Sequence, residues 1–295
     1  GGSVIDSAKA IGYGMANECD VWDLYSQKSR PSGCLPVGTV LTIAAAGSEM
    51  SDSSVITNDM TWQKRGLSSD YSRCRFAVLN PELTYTLPPY QTACGCVDIL
   101  MHTMERYFTT DKNTGLTDEI SEALMRTVLH NAKIVIDQPY DYTARAEIMW
   151  AGSLAHNGLT GCGRTGDWAS HQLEHELSGM FDVAHGAGLA AIWSSWARYV
   201  YQTDAERFAR FAVQVMGISE QSQTQEELAL EGISAMERFY HQIGMPVSIS
   251  ELGVLLTEEQ CRQLAYHCSF EGTRSIGGFR TLDQFDMEQI YKSAR

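Results

Sequence analysis

Three groups of residues combine types and spacings that could do chemistry. Asp98 and His102 stand four apart within Gln91–Phe108. Val97, Leu100, Met101, Met104 and Phe108 recur there at spacings of three and four, which predicts an amphipathic helix. Residues four apart share a helix face, so the carboxylate and the imidazole can reach one point. Such a pair suits Fe(II) or Zn(II), both of which accept mixed nitrogen and oxygen ligands. His171-Gln172-Leu173-Glu174-His175 supplies a second pair four apart, and His185 follows at the head of His185-Gly186-Ala187-Gly188. Three of the eight histidines therefore cluster in one short stretch.

Two ligand sets are open on residue type. In one, His171-x-x-Glu174-His175 is an inverted zinc-protease motif, with a histidine pair as ligands and a glutamate as general base. In the other, His171 and His185 join Asp98 and His102 around one divalent ion, and His175 faces the substrate. The third group bears on the choice. Gly1-Gly2-Ser3 precedes a helical stretch, Val4–Met15, with Asp6 in its first turn. Glycines let backbone N–H groups approach a pyrophosphate, and a helix N-terminus adds partial positive charge. A protease has no need of a phosphate cradle.

The elements that must hold these residues change character near Pro88-Pro89. Before it, Val37–Ala44 reads as a buried strand, Ala46-Gly47-Ser48 as a turn, and Ser54–Thr57 and Arg75–Leu79 as short strands. After it, strand signals give way to helical periodicity. Thr117–Ile136 (with Thr117 as N-cap), Tyr142–His156, Ser170–Met180, His185–Tyr199, Ala205–Met216, Gln225–Ile243, Thr257–Cys268 and Asp283–Ala294 all read as helices. Residues 1–88 are thus expected to be α/β and residues 89–295 an all-helical domain that carries the metal.

Composition narrows the partners. The 295 residues are 44% hydrophobic and 20% charged, with a formal net charge of −14. An acidic surface with no basic cluster repels phosphate backbones and anionic lipid, so nucleic acid and membrane are not expected as partners. No apolar run reaches the ~18 to 20 residues a bilayer demands. Eight scattered cysteines predict reduced thiols in a cytoplasm. Cys94 and Cys96, beside Asp98, are expected to be small buried residues rather than ligands. His130, His156, His241 and His267 belong to no constellation, and Trp150, Trp168, Trp193 and Trp196 are expected to pack.

Gly1-Gly2-Ser3-Val4-Ile5-Asp6-Ser7-Ala8-Lys9 resembles the GGGS-x-x-D-x-x-K signature of iron-containing (group III) alcohol dehydrogenases, with the first glycine missing. Thr42 and Ala46-Gly47-Ser48-Glu49 resemble that family's loop near the nicotinamide. Thr84-Tyr85-Thr86-Leu87-Pro88-Pro89, then Gly95-Cys96-Val97-Asp98-x-x-x-His102-x-x-Glu105, is similar to its first ligand helix. His171-x-x-x-His175 with His185 is similar to its second ligand pair, and Asp286-Met287-x-x-Ile290-Tyr291 to its C-terminus. The likeness is greatest to the NADPH-preferring aldehyde reductase and butanol dehydrogenase branch.

The resemblance implies a dehydroquinate synthase-like fold, in which a partial α/β dinucleotide-binding domain precedes the all-helical one. It implies Asp98, His102, His171 and His185 as ligands of Fe(II) or Zn(II), and His175 beside the nicotinamide of NADPH or NADH. It places Gly1, Gly2, Ser3, Asp6, Thr42, Lys64, Thr86 and Leu87 on the cofactor, with Lys64 near a ribose or phosphate. It also implies a homodimer and an N-terminus truncated before the residues that choose between NAD and NADP. The expected chemistry is Lewis-acid polarisation of a small alcohol or aldehyde oxygen during hydride transfer. His175 is the expected proton relay, with a packing role or hydrogen bonding to the ligands as its alternative. A zinc protease and an inactive metal-binding remnant are the competing functions.

Overall fold

The structure, a computed structural model, describes residues 1–61, 63–220 and 223–295. The N-terminal portion opens with helices α1 (Gly2–Ala16) and α2 (Val21–Tyr25). Four short strands follow: β1 (Gly38–Val40), β2 (Ser53–Asn58), β3 (Gln63–Ser68) and β4 (Phe76–Val78). β1 and β4 pair in parallel, Thr39 opposite Ala77. β2 and β3 form an antiparallel hairpin with Thr57 opposite Lys64.

Two expectations change here. The strand foreseen over Val37–Ala44 is only three residues long and is not buried, because its one partner strand covers Phe76–Val78 alone. Only the central Thr39 is buried, while Val40 and Phe76 stand exposed. β3 was not foreseen at all. Gln63-Lys64-Arg65-Gly66-Leu67-Ser68 has no alternating apolar side, and its polar residues are placed by contacts across the molecule.

From Pro89 onward the described chain is helical: α3 (Pro89–Tyr107), α4 (Gly115–Asp137), α5 (Tyr142–His156), α6 (Ala169–Phe181), α7 (His185–Val200), α8 (Ala205–Gln214), α9 (Gln225–Gln242), α10 (Glu258–Cys268) and α11 (Gln284–Ala294). α3 is the axle of this portion, packing against α4, α5 and α7. Every residue from Thr92 to Tyr107 is buried, so α3 is enclosed rather than amphipathic, and its polar residues sit in the interior with it. Phe108 stacks on Phe208 with ring centroids 4.3 Å apart, beside Trp193 and Trp196. Thr117 does not cap α4, which starts earlier, after Asn113 takes a left-handed turn (φ 65°). The Thr117 hydroxyl donates instead to the Cys162 carbonyl at 3.0 Å. Capping boxes close the starts of α9, α10 and α11.

Candidate functional site

Asp98 and His102 leave α3 on one face; His171 lies in the first turn of α6, and His185 is the first residue of α7. A single carboxylate oxygen is common to them. Asp98 Oδ1 lies 3.6 Å from His102 Nε2, 3.7 Å from His171 Nε2 and 3.7 Å from His185 Nε2. These separations exceed a hydrogen bond. Asp98 Oδ1 and His171 Nε2 are buried without any hydrogen-bond partner. Buried polar atoms left unsatisfied are expensive, and an ion between them would satisfy both. Asp98, His171 and His185 can place their ligand atoms within 4.8 Å of one another. His102 stacks on His171 at a centroid distance of 4.8 Å. One oxygen and three imidazole nitrogens form a donor set that fits a divalent transition metal.

Hydrogen bonds behind the rings fix which nitrogen faces Asp98. Glu105 Oε1 lies 2.9 Å from His171 Nδ1 and also accepts the His171 backbone N–H at 2.9 Å. Glu174 holds His185 through Nδ1, accepts the Ser178 hydroxyl, and has Lys64 Nζ at 3.7 Å. Burial opposes protonation of His171, but the Asp98 and Glu105 carboxylates override it and lift the imidazole to about 9. Burial and the neighbouring His156 and His171 keep His102 well below its ordinary range, the neutral state a ligand needs. Burial would raise Glu174, yet His185 and Lys64 hold it far below the usual carboxylate range.

Glu174 bears on the protease reading. Its side chain is fully buried and its oxygens are committed to His185, Ser178 and Lys64. A general base must reach a water in an open site, so the protease reading fails on geometry. His175 faces the cleft, its ring 5.6 Å from that of His185 and 6.4 Å from that of His171. Burial and Lys64 push its pKa well below the ordinary value, so it is a neutral imidazole rather than one titrating near pH 7.

A cleft of about 1920 Å³ runs past these residues. Gly1, Gly2, Ser3, Asp6 and Lys64 line it, together with Asp98, His102, His171, His175 and His185. Thr42, Thr86 and Leu87 stand outside its lining. Leu87 instead borders a small separate cavity, and Thr42 lies against Gly1. Asp6 accepts the Ser48 hydroxyl at 2.6 Å and the Val55 N–H at 2.9 Å, so its carboxylate ties α1 to the following loop and hairpin. Lys64 is turned towards Glu174 rather than held free for a phosphate.

Three residues set aside on sequence belong to the cleft: His156, His267 and Trp168. The His156 ring meets His102 edge-on, 3.9 Å between centroids, and its Nδ1 is buried without a partner. No spacing rule links His156 to His102, because the last turn of α5 is brought to α3 by packing alone. Trp168 takes a left-handed backbone (φ 64°) immediately before α6, which is rare for a bulky residue. Glu105 was part of the His102-x-x-Glu105 pattern, and its role as the partner of His171 appears only in three dimensions. Cys94 and Cys96 are buried, and burial pushes their thiols up to about 11 and about 12, respectively. All eight cysteines are unpaired.

The glycines after His185 have a packing reason. A Cβ on Gly186 would strike the Cys94 carbonyl on α3, and one on Gly188 would meet Glu174 at 2.9 Å. α7 therefore begins directly against α3, and His185 reaches Asp98.

Comparison with known proteins agrees in family and fold. Residues 1–81 match the family described as iron-containing alcohol dehydrogenase, and residues 92–295 match the Fe-containing alcohol dehydrogenase family, C-terminal. A probable NADH-dependent butanol dehydrogenase 1 of Bacillus subtilis is 38% identical over the whole chain, which covers 75% of that protein. The NADPH-dependent aldehyde reductase YqhD of Escherichia coli is 34% identical over the whole chain, which covers 76% of it. The crystal structure of NADH-dependent butanol dehydrogenase A from Thermotoga maritima superposes with a TM-score of 0.94 at 37% identity, over 100% of this chain and 74% of that one.

Proposed function

The chain belongs to the iron-containing alcohol dehydrogenase family, and on that premise we propose that it transfers a hydride between NADH or NADPH and a small aldehyde or primary alcohol. In this reading Asp98, His102, His171 and His185 hold Fe(II) or Zn(II). The observation that carries it is the unpartnered Asp98 Oδ1 with three imidazole nitrogens 3.6 to 3.7 Å away. When bound, the metal supplies Lewis acidity towards the substrate oxygen, and the nicotinamide supplies or takes the hydride.

The chain's own residues hold and orient. Glu105 and Glu174 fix the His171 and His185 rings from behind. The N-terminus of α1, with Gly1, Gly2 and Ser3 on the cleft, suits a pyrophosphate. His175, facing the same cleft, is the proposed proton relay to or from the substrate oxygen. Lys64 acts through Glu174, and Asp6 through the Ser48 loop it holds. We assign residues 1–88 to the cofactor portion and 89–295 to the metal-binding portion, a division supported by strands confined to the first and helices filling the second. The named relatives support either nicotinamide cofactor. Unpaired cysteines support a reducing cytoplasm, and the family supports a homodimer. Among the described residues no helix is long and apolar enough to cross a membrane.

The test is metal analysis with an activity assay. Oxidation of NADH or NADPH with butanal, lost on chelation and restored by Fe(II) or Zn(II), is the expected result. Metal retention with no nicotinamide binding would instead identify an inactive remnant.

A further inference from the structure

One helical turn beyond His102, the cleft holds a buried cation that nothing in the hydride reading uses. Arg106 is 9% exposed and lines the cleft. Its NH1 donates to the His102 carbonyl at 2.7 Å and the Ala155 carbonyl at 3.2 Å, and the guanidinium lies 4.5 Å over the Trp168 ring. Among the described residues no carboxylate pairs with it. The two carboxylates that act on it are committed elsewhere: Glu105 to His171, and Asp52 towards Arg73 at 3.9 Å. The Arg106 guanidinium is charged at neutral pH. A buried charge without a counter-charge is costly, and it persists where a partner arrives from outside.

A second polar group stands beside it. His156 follows Ala155, whose carbonyl Arg106 grips, and presents a partnerless Nδ1. This end of the cleft therefore joins a guanidinium to an unpartnered imidazole nitrogen. A purely alkyl tail would leave both unsatisfied.

We propose that Arg106 and His156 form a subsite for a carboxylate at the far end of the substrate, so that the aldehydes reduced are short ω-carboxylate aldehydes. The proposal rests on the dehydrogenase reading above. The Arg106 Nη1 on the His102 carbonyl puts the guanidinium beside the residue whose ring faces Asp98, so a substrate that reaches both is short. Arg106 is suited to this by its planar fork, which matches a carboxylate in two parallel hydrogen bonds.

The test compares 4-oxobutanoate with its uncharged amide and with butanal on the metal-loaded protein. The expected result is a kcat/KM for the carboxylate about tenfold to a hundredfold above both neutral substrates, carried in KM. Arg106→Gln should erase that ratio, and Arg106→Lys should keep part of it. A wild-type protein that prefers the neutral aldehydes overturns the proposal, as does a preference that survives Arg106→Gln. Should Arg106→Gln fail to fold, the wild-type comparison of carboxylate and amide still decides. If no aldehyde turns over, the hydride reading is what has failed, and calorimetry then tests the subsite alone. Butanoate binding about tenfold more tightly than butanamide, with the difference lost in Arg106→Gln, supports it, and equal binding of the two overturns it.

Discussion

At the scale of single residues, the site depends on groups that never touch the substrate. Glu174 is the clearest case, buried and bonded to His185 from behind. Glu174→Gln is expected to weaken metal binding by about tenfold to a hundredfold in a competitive chelator titration; unchanged affinity would remove Glu174 from the ligand-orienting role. Asp167, just before Trp168, gives a pH signature. Burial and the Glu105 charge push its carboxyl up to about 7, although it accepts the Phe279 N–H at 2.8 Å and the Ala169 N–H at 3.0 Å. A carboxyl raised in the fold binds a proton that the unfolded chain releases near pH 4. Its stabilising contribution is therefore complete below about pH 4 and is lost as pH rises through about 7, at up to about 1.4 kcal/mol per pH unit. His102, His156 and His175, held neutral, work the opposite way as pH falls below the ordinary imidazole range. Denaturation of the metal-free protein should accordingly be read as wild type minus Asp167→Asn, a difference expected to shrink from pH 4 to pH 7. A flat difference would show that Asp167 keeps an ordinary pKa.

At the scale of elements, the helices were readable where one side repeats every three or four residues, and their ends were readable within a few positions. The shared face of Asp98 and His102 was readable for the same reason, since spacing on one helix fixes it, whereas His171 and His185 lie on separate helices. What spacing does not encode is which helix meets which. His156 on α5 reaches His102 on α3, and Lys64 on β3 reaches Glu174 on α6, only through packing. The enclosed state of α3 was equally hidden, because an apolar stripe records one buried face and not the neighbours that cover the rest. The approach of α7 to α3 offers a direct probe. Gly186→Ala places a methyl against the Cys94 backbone carbonyl and must push His185 away from Asp98. It is expected to cost about 1 to 3 kcal/mol and to lower metal content. Gly115→Ala, in open space at the start of α4, should leave metal content intact. Equal metal content in the two variants would show that the α3–α7 approach does not set the site.

At the scale of the whole molecule, α/β character before Pro88 and helices after Pro89 were legible from the change in periodicity. The cleft was not, because its lining is drawn from residues between Gly1 and Arg274 that no local pattern connects. The proposed metal ligands come from three separate helices of the large core, so an ion there would tie the core together. Removing it is expected to lower the melting temperature. At metal concentrations a hundredfold above the dissociation constant, the loss is about 2.7 kcal/mol. Calorimetry before and after chelation measures it, and an unchanged transition would argue against an ion bridging these helices.

The convergence on Asp98 Oδ1 also dictates a timetable. Between Asp98 and His171 the chain must complete α4 and α5, and α7 must then dock before His185 arrives. Contacts so distant along the chain form after local ones, since loop closure must come first. An ion held there is therefore expected to arrive as a lock on a nearly finished protein rather than as a template for it. Its signature is kinetic: added Zn(II) should leave the refolding rate nearly unchanged and slow unfolding instead.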